Sequence, residues 1–173
     1  MQVQGILKTI ASQFTVIMLS GCTAYLGTWP QTPEQFMETF EKSSLLNKVE
    51  ETVIKRPYAL VASDISSFST QCIDAHRVTT APNYKLREVG SYSDYTSRIK
   101  VIDSNSSIFS IQANQNGEKV EKLPQGGMYI FVAKIIKDGV NTKITTYRFS
   151  HPNTALGMQE WANGKKSSCP KLL

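Results

Sequence analysis

The stretch "GGMYIFVAKIIKDGVNTKITTYRF" at residues 126–149 decides the fold. Its first half is an almost continuous apolar run, the pattern of a central strand covered on both faces. Asp138 and Gly139 then supply a hairpin signal, and "NTKITTYRF" follows as a second strand. Strands joined by a short hairpin run antiparallel, because a parallel pair needs a long crossover. Ahead of the run, a turn needing positive φ accounts for the adjacent Gly126 and Gly127.

Outward from this hairpin the same grammar repeats. "SRIKVID" (97–103) and "SSIFSIQAN" (106–114) read as strands joined through Asp103, Ser104, Asn105 and Ser106, and "NQNG" (114–117) is the next turn signal. "IDAHRVTT" (73–80) is a further strand. "APNYKLREVGSYSDYT" (81–96) reads as a long irregular connection or interrupted strands. On the C-terminal side, "HPNTALGMQEWANG" (151–164) forms a helix with Pro152 near its start and Gly164 at its stop.

The N-terminal half supplies two helices and one strand. "TPEQFMETFEKSSLL" begins at residue 32, where Thr32 can cap, Pro33 suits the first turn and Gln35 sits three residues past the cap. Phe36, Met37, Phe40 and Ser44 share a face of it, a stripe suited to the core. "VEETVIK" (49–55) is a strand. "RPYALVASDISSFSTQC" (56–72) is a second helix, with Pro57 in its first turn and Val61, Ile65, Phe68 and Cys72 at helical spacing. The expected fold is therefore α+β: a single domain whose mostly antiparallel sheet packs against helices on one face. This strand, helix, meander, helix order over residues 49–164 resembles the helix-grip arrangement, including the domains of an outer-membrane assembly lipoprotein.

The first twenty-two residues have a different character. Lys8 is the only charge before Glu34 and precedes the moderately apolar "TIASQFTVIMLSG", the layout of an export signal. The run is too short for a spanning helix, which takes about 20 apolar residues. Leu19, Ser20, Gly21 and Cys22 then follow one another. This stretch resembles the lipobox of bacterial lipoproteins: an aliphatic residue, two small ones and a cysteine. The resemblance implies cleavage before Cys22, a diacylglyceride on its sulfur and attachment to a membrane through that lipid. Thr23, in place of an aspartate, implies the outer membrane, with the domain facing the periplasm. Residues 1–21 would then be a signal peptide, 22–31 a lipid-proximal tether and 32–173 the globular domain.

Removal of residues 1–21 leaves 152 residues, enough for one domain with a sizeable core. The net charge falls from +5 to +4, since Lys8 leaves and no acidic residue does. Basic residues are scattered, with Lys55-Arg56 and Lys165-Lys166 the only adjacent pairs, so nucleic acid is not an expected partner. With Cys22 lipidated, Cys72 and Cys169 remain, and an oxidising compartment favours their disulfide.

Signatures of chemistry are few. His76 and His151 are the only histidines, and Cys72 four residues before His76 finds no second pair to complete a zinc site. A Cys72–histidine nucleophile competes with the disulfide for the same sulfur. Asp64, Asp74, Glu88, Asp94 and Asp103 offer no pairing that sequence defines, and no Gly-x-Ser-x-Gly or Ser-x-x-Lys motif occurs. No cofactor is expected. The best candidate binding surface is the stretch holding Tyr84, Arg87, Tyr92, Tyr95 and Arg98, where aromatic faces neighbour cations. The expected function is a non-catalytic protein-binding or scaffold module of an envelope complex. The alternatives are a carrier enclosing an apolar ligand under the sheet and, behind it, a cell-wall-acting enzyme.

Overall fold

The computed structural model describes residues 29–42, 48–79, 91–116, 122–149, 152–165 and 169. Among them the element order is α1 (Pro33–Lys42), β1 (Lys48–Ile54), α2 (Tyr58–Cys72), β2 (Ala75–Thr79), β3 (Ser91–Asp103), β4 (Ser106–Asn116), β5 (Met128–Asp138), β6 (Asn141–Arg148) and α3 (Pro152–Ala162). The fold is α+β. Six strands form one antiparallel sheet in the order β1-β6-β5-β4-β3-β2, so everything from β2 to β6 is a meander and β1 closes its far edge.

β5 is the central strand its apolar run foretells. Phe131, Ala133 and Ile135 point to one face, where α2 contributes Val61 and Ile65 and α3 contributes Ala155, Met158, Trp161 and Ala162. Val132 and Tyr129 point to the other, where Phe36 and Phe40 of α1 meet Ile108 and Tyr147. Two helices thus grip one face while α1 covers part of the opposite one. A bulge where Ile111 and Gln112 pair with Phe131 and Tyr129 leaves Ile130 as the extra residue on β5. Asp138 pairs with Asn141 across a two-residue turn in which Gly139 takes φ +61°.

Local chemistry explains the element ends. Thr32 accepts the Gln35 backbone N–H at 3.2 Å, and the Gln35 side chain accepts the Gln31 N–H at 2.8 Å, a capping box displaced by one residue. Pro57 stands at the N-cap of α2 with extended φ and ψ, one step earlier than its expected place in the first turn. α3 stops at Gly164, whose φ is +77° and whose N–H donates to Trp161 O. Beside that stop, the Arg56 guanidinium donates to Ala162 O at 2.7 Å and to Asp64 at 2.8 Å, joining the loop after β1 to both gripping helices.

Two sequence expectations need correction. Residues 91–96, read as part of an irregular connection or of interrupted strands, are strand and run without a break into the rest of β3, a single strand of 13 residues. β4 also runs on through Asn114 and Gln115 to Asn116, past the first residues of the "NQNG" turn signal. In both places a paired backbone overrides weak side-chain preference, because strand propensity depends on its neighbours.

Candidate binding surface

Of the six candidate positions, three lie among the described residues, as does the cysteine pair. Cys22, Tyr84 and Arg87 lie outside the described residues, as do Glu88 and His151. Tyr92 lies near the start of β3, paired with Val78 on one side and Asn116 on the other. Tyr95 is 7 % exposed and packs into the core under α2, so it belongs to no exposed surface. Arg98 is exposed, and its odd-numbered spacing from Tyr95 puts it on the opposite face. Alternation along one strand therefore divides the tyrosine–cation group that sequence places together. Cys72 and Cys169 are joined as a disulfide with Cα atoms 4.9 Å apart, which ties the chain beyond α3 to the end of α2.

Among the described residues no three His, Cys, Asp or Glu side chains come together as a metal site. The acids have structural partners instead. Asp74 accepts both the backbone N–H and the hydroxyl of Ser97, at 2.6 and 2.9 Å. Asp103 accepts the Asn105 N–H at 2.7 Å and the Ser106 hydroxyl at 2.8 Å, and these bonds hold its carboxyl below the ordinary aspartate range. Glu34 meets Lys100 at 2.8 Å and is lowered chiefly by that bond. Burial pushes the Tyr147 phenol up to about 12, helped by its hydrogen bond to Glu41.

Among the described residues, exposed apolar side chains occur on β1 (Val49, Val53), α2 (Leu60), α3 (Leu156) and at Trp29, but the two most exposed, Val101 and Val140, sit at hairpin ends with Ile102 beside them. Val101 is 69 % exposed, Ile102 49 % and Val140 82 %. Val101 and Ile102 approach the β3–β4 turn, and Val140 lies in the β5–β6 turn. The two turns are neighbours, since the Lys137 N–H donates to Asn105 O at 2.8 Å. Arg98 and Lys100 stand just inside these tips on β3. No carboxylate lies within ion-pair distance of Arg98 among the described residues. Sequence reading missed Val101 and Ile102 because apolar residues in a strand pattern read as core, and Val140 because it falls within a turn signal. The available signal was their position beside turn residues, where a hairpin outruns the helices covering it.

The first described residues lie at the other end of the sheet. Gln31 donates from its side chain to Lys122 O at 2.9 Å, and Lys122 lies in the connection from β4 to β5. That connection and the β3–β4 and β5–β6 turns occupy opposite ends of the same strands. A depression of about 280 Å³ flanks the first described residues, lined by Pro30 and by Gln35, Glu38, Thr39 and Lys42 of α1. Its lining is mostly polar and exposed.

No family model matches the chain, and no curated protein matches it. Among solved structures it is similar to Ara h 8.0201, with a TM-score of 0.37 and 12% identity over 68% of this chain and 94% of that one. It is also similar to an uncharacterised protein from Rhizobium leguminosarum, with a TM-score of 0.27 and 12% identity over 70% of this chain and 95% of that one. Both likenesses are too distant to bear on ligand or partner.

Proposed function

We propose that this chain is an envelope lipoprotein, held by lipid on Cys22 at the periplasmic side of the outer membrane, whose domain binds a partner protein without catalysis. The observation that carries the binding role is the group of exposed Val101, Ile102 and Val140 on hairpin ends. Such side chains cost free energy in water, about 25 cal/mol per Å² of apolar surface, and return it when a partner covers them. Their place in the fold supports the same reading. The tether would join at residues 29–31, by Lys122, so the tips lie at the end of the sheet away from the anchor.

The anchor rests on Leu19, Ser20, Gly21 and Cys22 behind the Lys8-led apolar run. Two or more acyl chains make membrane attachment stable where one does not. Among the described residues no helix is long and apolar enough to cross a membrane. The carrier reading gains no support from the packing. Trp161, Met158, Phe109 and Phe131 occupy the space under α2 and α3, each no more than 1 % exposed.

Two measurements test the proposal. Cys22→Ala is expected to abolish palmitate incorporation and to release the protein from the membrane fraction or leave it unprocessed. Normal labelling of that variant would refute the anchor. A photo-crosslinking residue at Val140 is expected to capture a partner in intact envelopes, while one at exposed Lys134 is not. Equal capture at both positions, or at neither, would refute the binding role.

A further inference from the structure

β3 is long and only half covered. Of its 13 residues, β2 pairs with Ser91 to Tyr95, and no other strand pairs along its outer side among the described residues. Asp74 shows which backbone groups face outward. It accepts the Ser97 N–H, so that N–H points away from β4. With a period of two, the N–H and C=O of Ile99 and Val101 point the same way. Residues 97–101 therefore present a row of backbone donors and acceptors, capped at one end by Asp74 and open toward the turn. Val101 leaves its side chain exposed on one face of this row, and Arg98 and Lys100 stand on the other.

We propose that this free edge of β3 receives an extended segment of the partner protein, added as a seventh strand, with carboxylates alternating with small apolar residues. The inference rests on the protein-binding reading above and names the chemistry of its partner. Main-chain bonds along an edge supply affinity, and side chains at alternate positions supply choice. A carboxylate opposite Arg98 gains a cross-strand ion pair, while Lys100 is already bonded to Glu34, and a valine on the other face meets Val101. A second copy of this chain is the poorer occupant. Antiparallel pairing of two β3 edges centred on Ile99 would set Arg98 of each copy opposite Lys100 of the other, and like charges directly opposite destabilise a pair. In that register the cations disfavour self-pairing, and Arg98 leaves the edge suited to an acidic strand.

The test uses the full chain in detergent and an acetylated heptapeptide alternating Glu and Val, with the Lys–Val peptide as control. Saturating Glu–Val peptide is expected to slow amide exchange at Ile99 and Val101 at least ten-fold, and the Lys–Val peptide to leave both unchanged. Reversing the charge with Arg98→Glu, on an exposed side chain, is expected to exchange the preference between the two peptides. Val101→Pro removes an outward donor while sparing the ladder to β4. Protection by the Glu–Val peptide should vanish in that variant while β4 amides stay protected. Equal protection by both peptides, protection by neither, or an unchanged preference after charge reversal overturns the proposal. Crosslinking from Val140 separates the two levels. A partner still captured there when the peptide fails leaves protein binding standing and removes only the edge, whereas failure of both removes both.

Discussion

Gly127 has no room for a side chain. A Cβ built on it would lie 2.2 Å from Ala113 O, and its φ of +97° is one that other residues rarely adopt. The buried Gln112 explains why the loop is held so close, since its side-chain nitrogen donates to Gln125 O and Gly127 O at 3.0 and 2.9 Å. Gly127→Ala is accordingly expected to destabilise the fold by about 2 kcal/mol or more, read from urea unfolding. Asp103 gives a prediction in pH. Its carboxyl pKa is lower in the folded chain than in the unfolded one, so its contribution is complete above the unfolded value and fades as pH falls through the folded one. Asp103→Asn should therefore flatten the stability profile on the acid side of about pH 4, the reference carboxylate value, and leave its shape at neutral pH alone. An acid limb as steep as that of the wild type would remove Asp103 from the account.

The elements differ in how plainly the sequence announces them, and the reasons are physical. β5 and β6 are legible because each must satisfy a covered face at every second residue, and Gly139 marks the turn between them. The start of β3 is not legible, because "SYSDYT" buries Tyr95 on one side and is otherwise polar. Its strand form comes from backbone pairing with β2 and β4, which no local pattern records. α1 is legible as a helix with a buried stripe, yet periodicity does not say which face of a sheet the stripe will meet. Only the contacts of Phe36 and Phe40 with Val132, Tyr147 and Phe149 place it opposite α2 and α3. Of the candidate surface, Arg98 could be read from the chain and the tips could be placed beside turn residues, but how far the tips are exposed could not, because that depends on where the covering helices end. The cap of α1 is a local matter and gives a local prediction. Thr32→Ala removes the acceptor of the Gln35 N–H and is expected to cost about 1 kcal/mol. Thr32→Asp should restore the loss, both readable from chemical denaturation.

On the scale of the whole molecule, the disulfide and Arg56 fasten the same region by different means. Arg56 holds the end of α3 with hydrogen bonds that a partly exposed side chain makes and breaks in water. The Cys72–Cys169 bridge is permanent in an oxidising compartment and closes a loop across a sequence separation of 97. A crosslink of that span lowers the entropy of the unfolded chain by an amount worth about 4–5 kcal/mol. Strands β2 to β6 and α3 lie within that loop and α2 ends at its first cysteine, so the constraint acts on most of the fold rather than on one helix end. The double variant Cys72→Ser with Cys169→Ser is therefore expected to fold with the same far-ultraviolet spectrum but to melt roughly 10–20 °C lower. Either single variant should lose as much, since one serine opens the loop as fully as two. Reductant should lower the wild type to the level of the double variant and leave that variant unmoved. A double variant with the wild-type midpoint would mean that Arg56 and the packing of α2 on α3 already confine the unfolded chain's options. The bridge would then protect thiols rather than stabilise the fold.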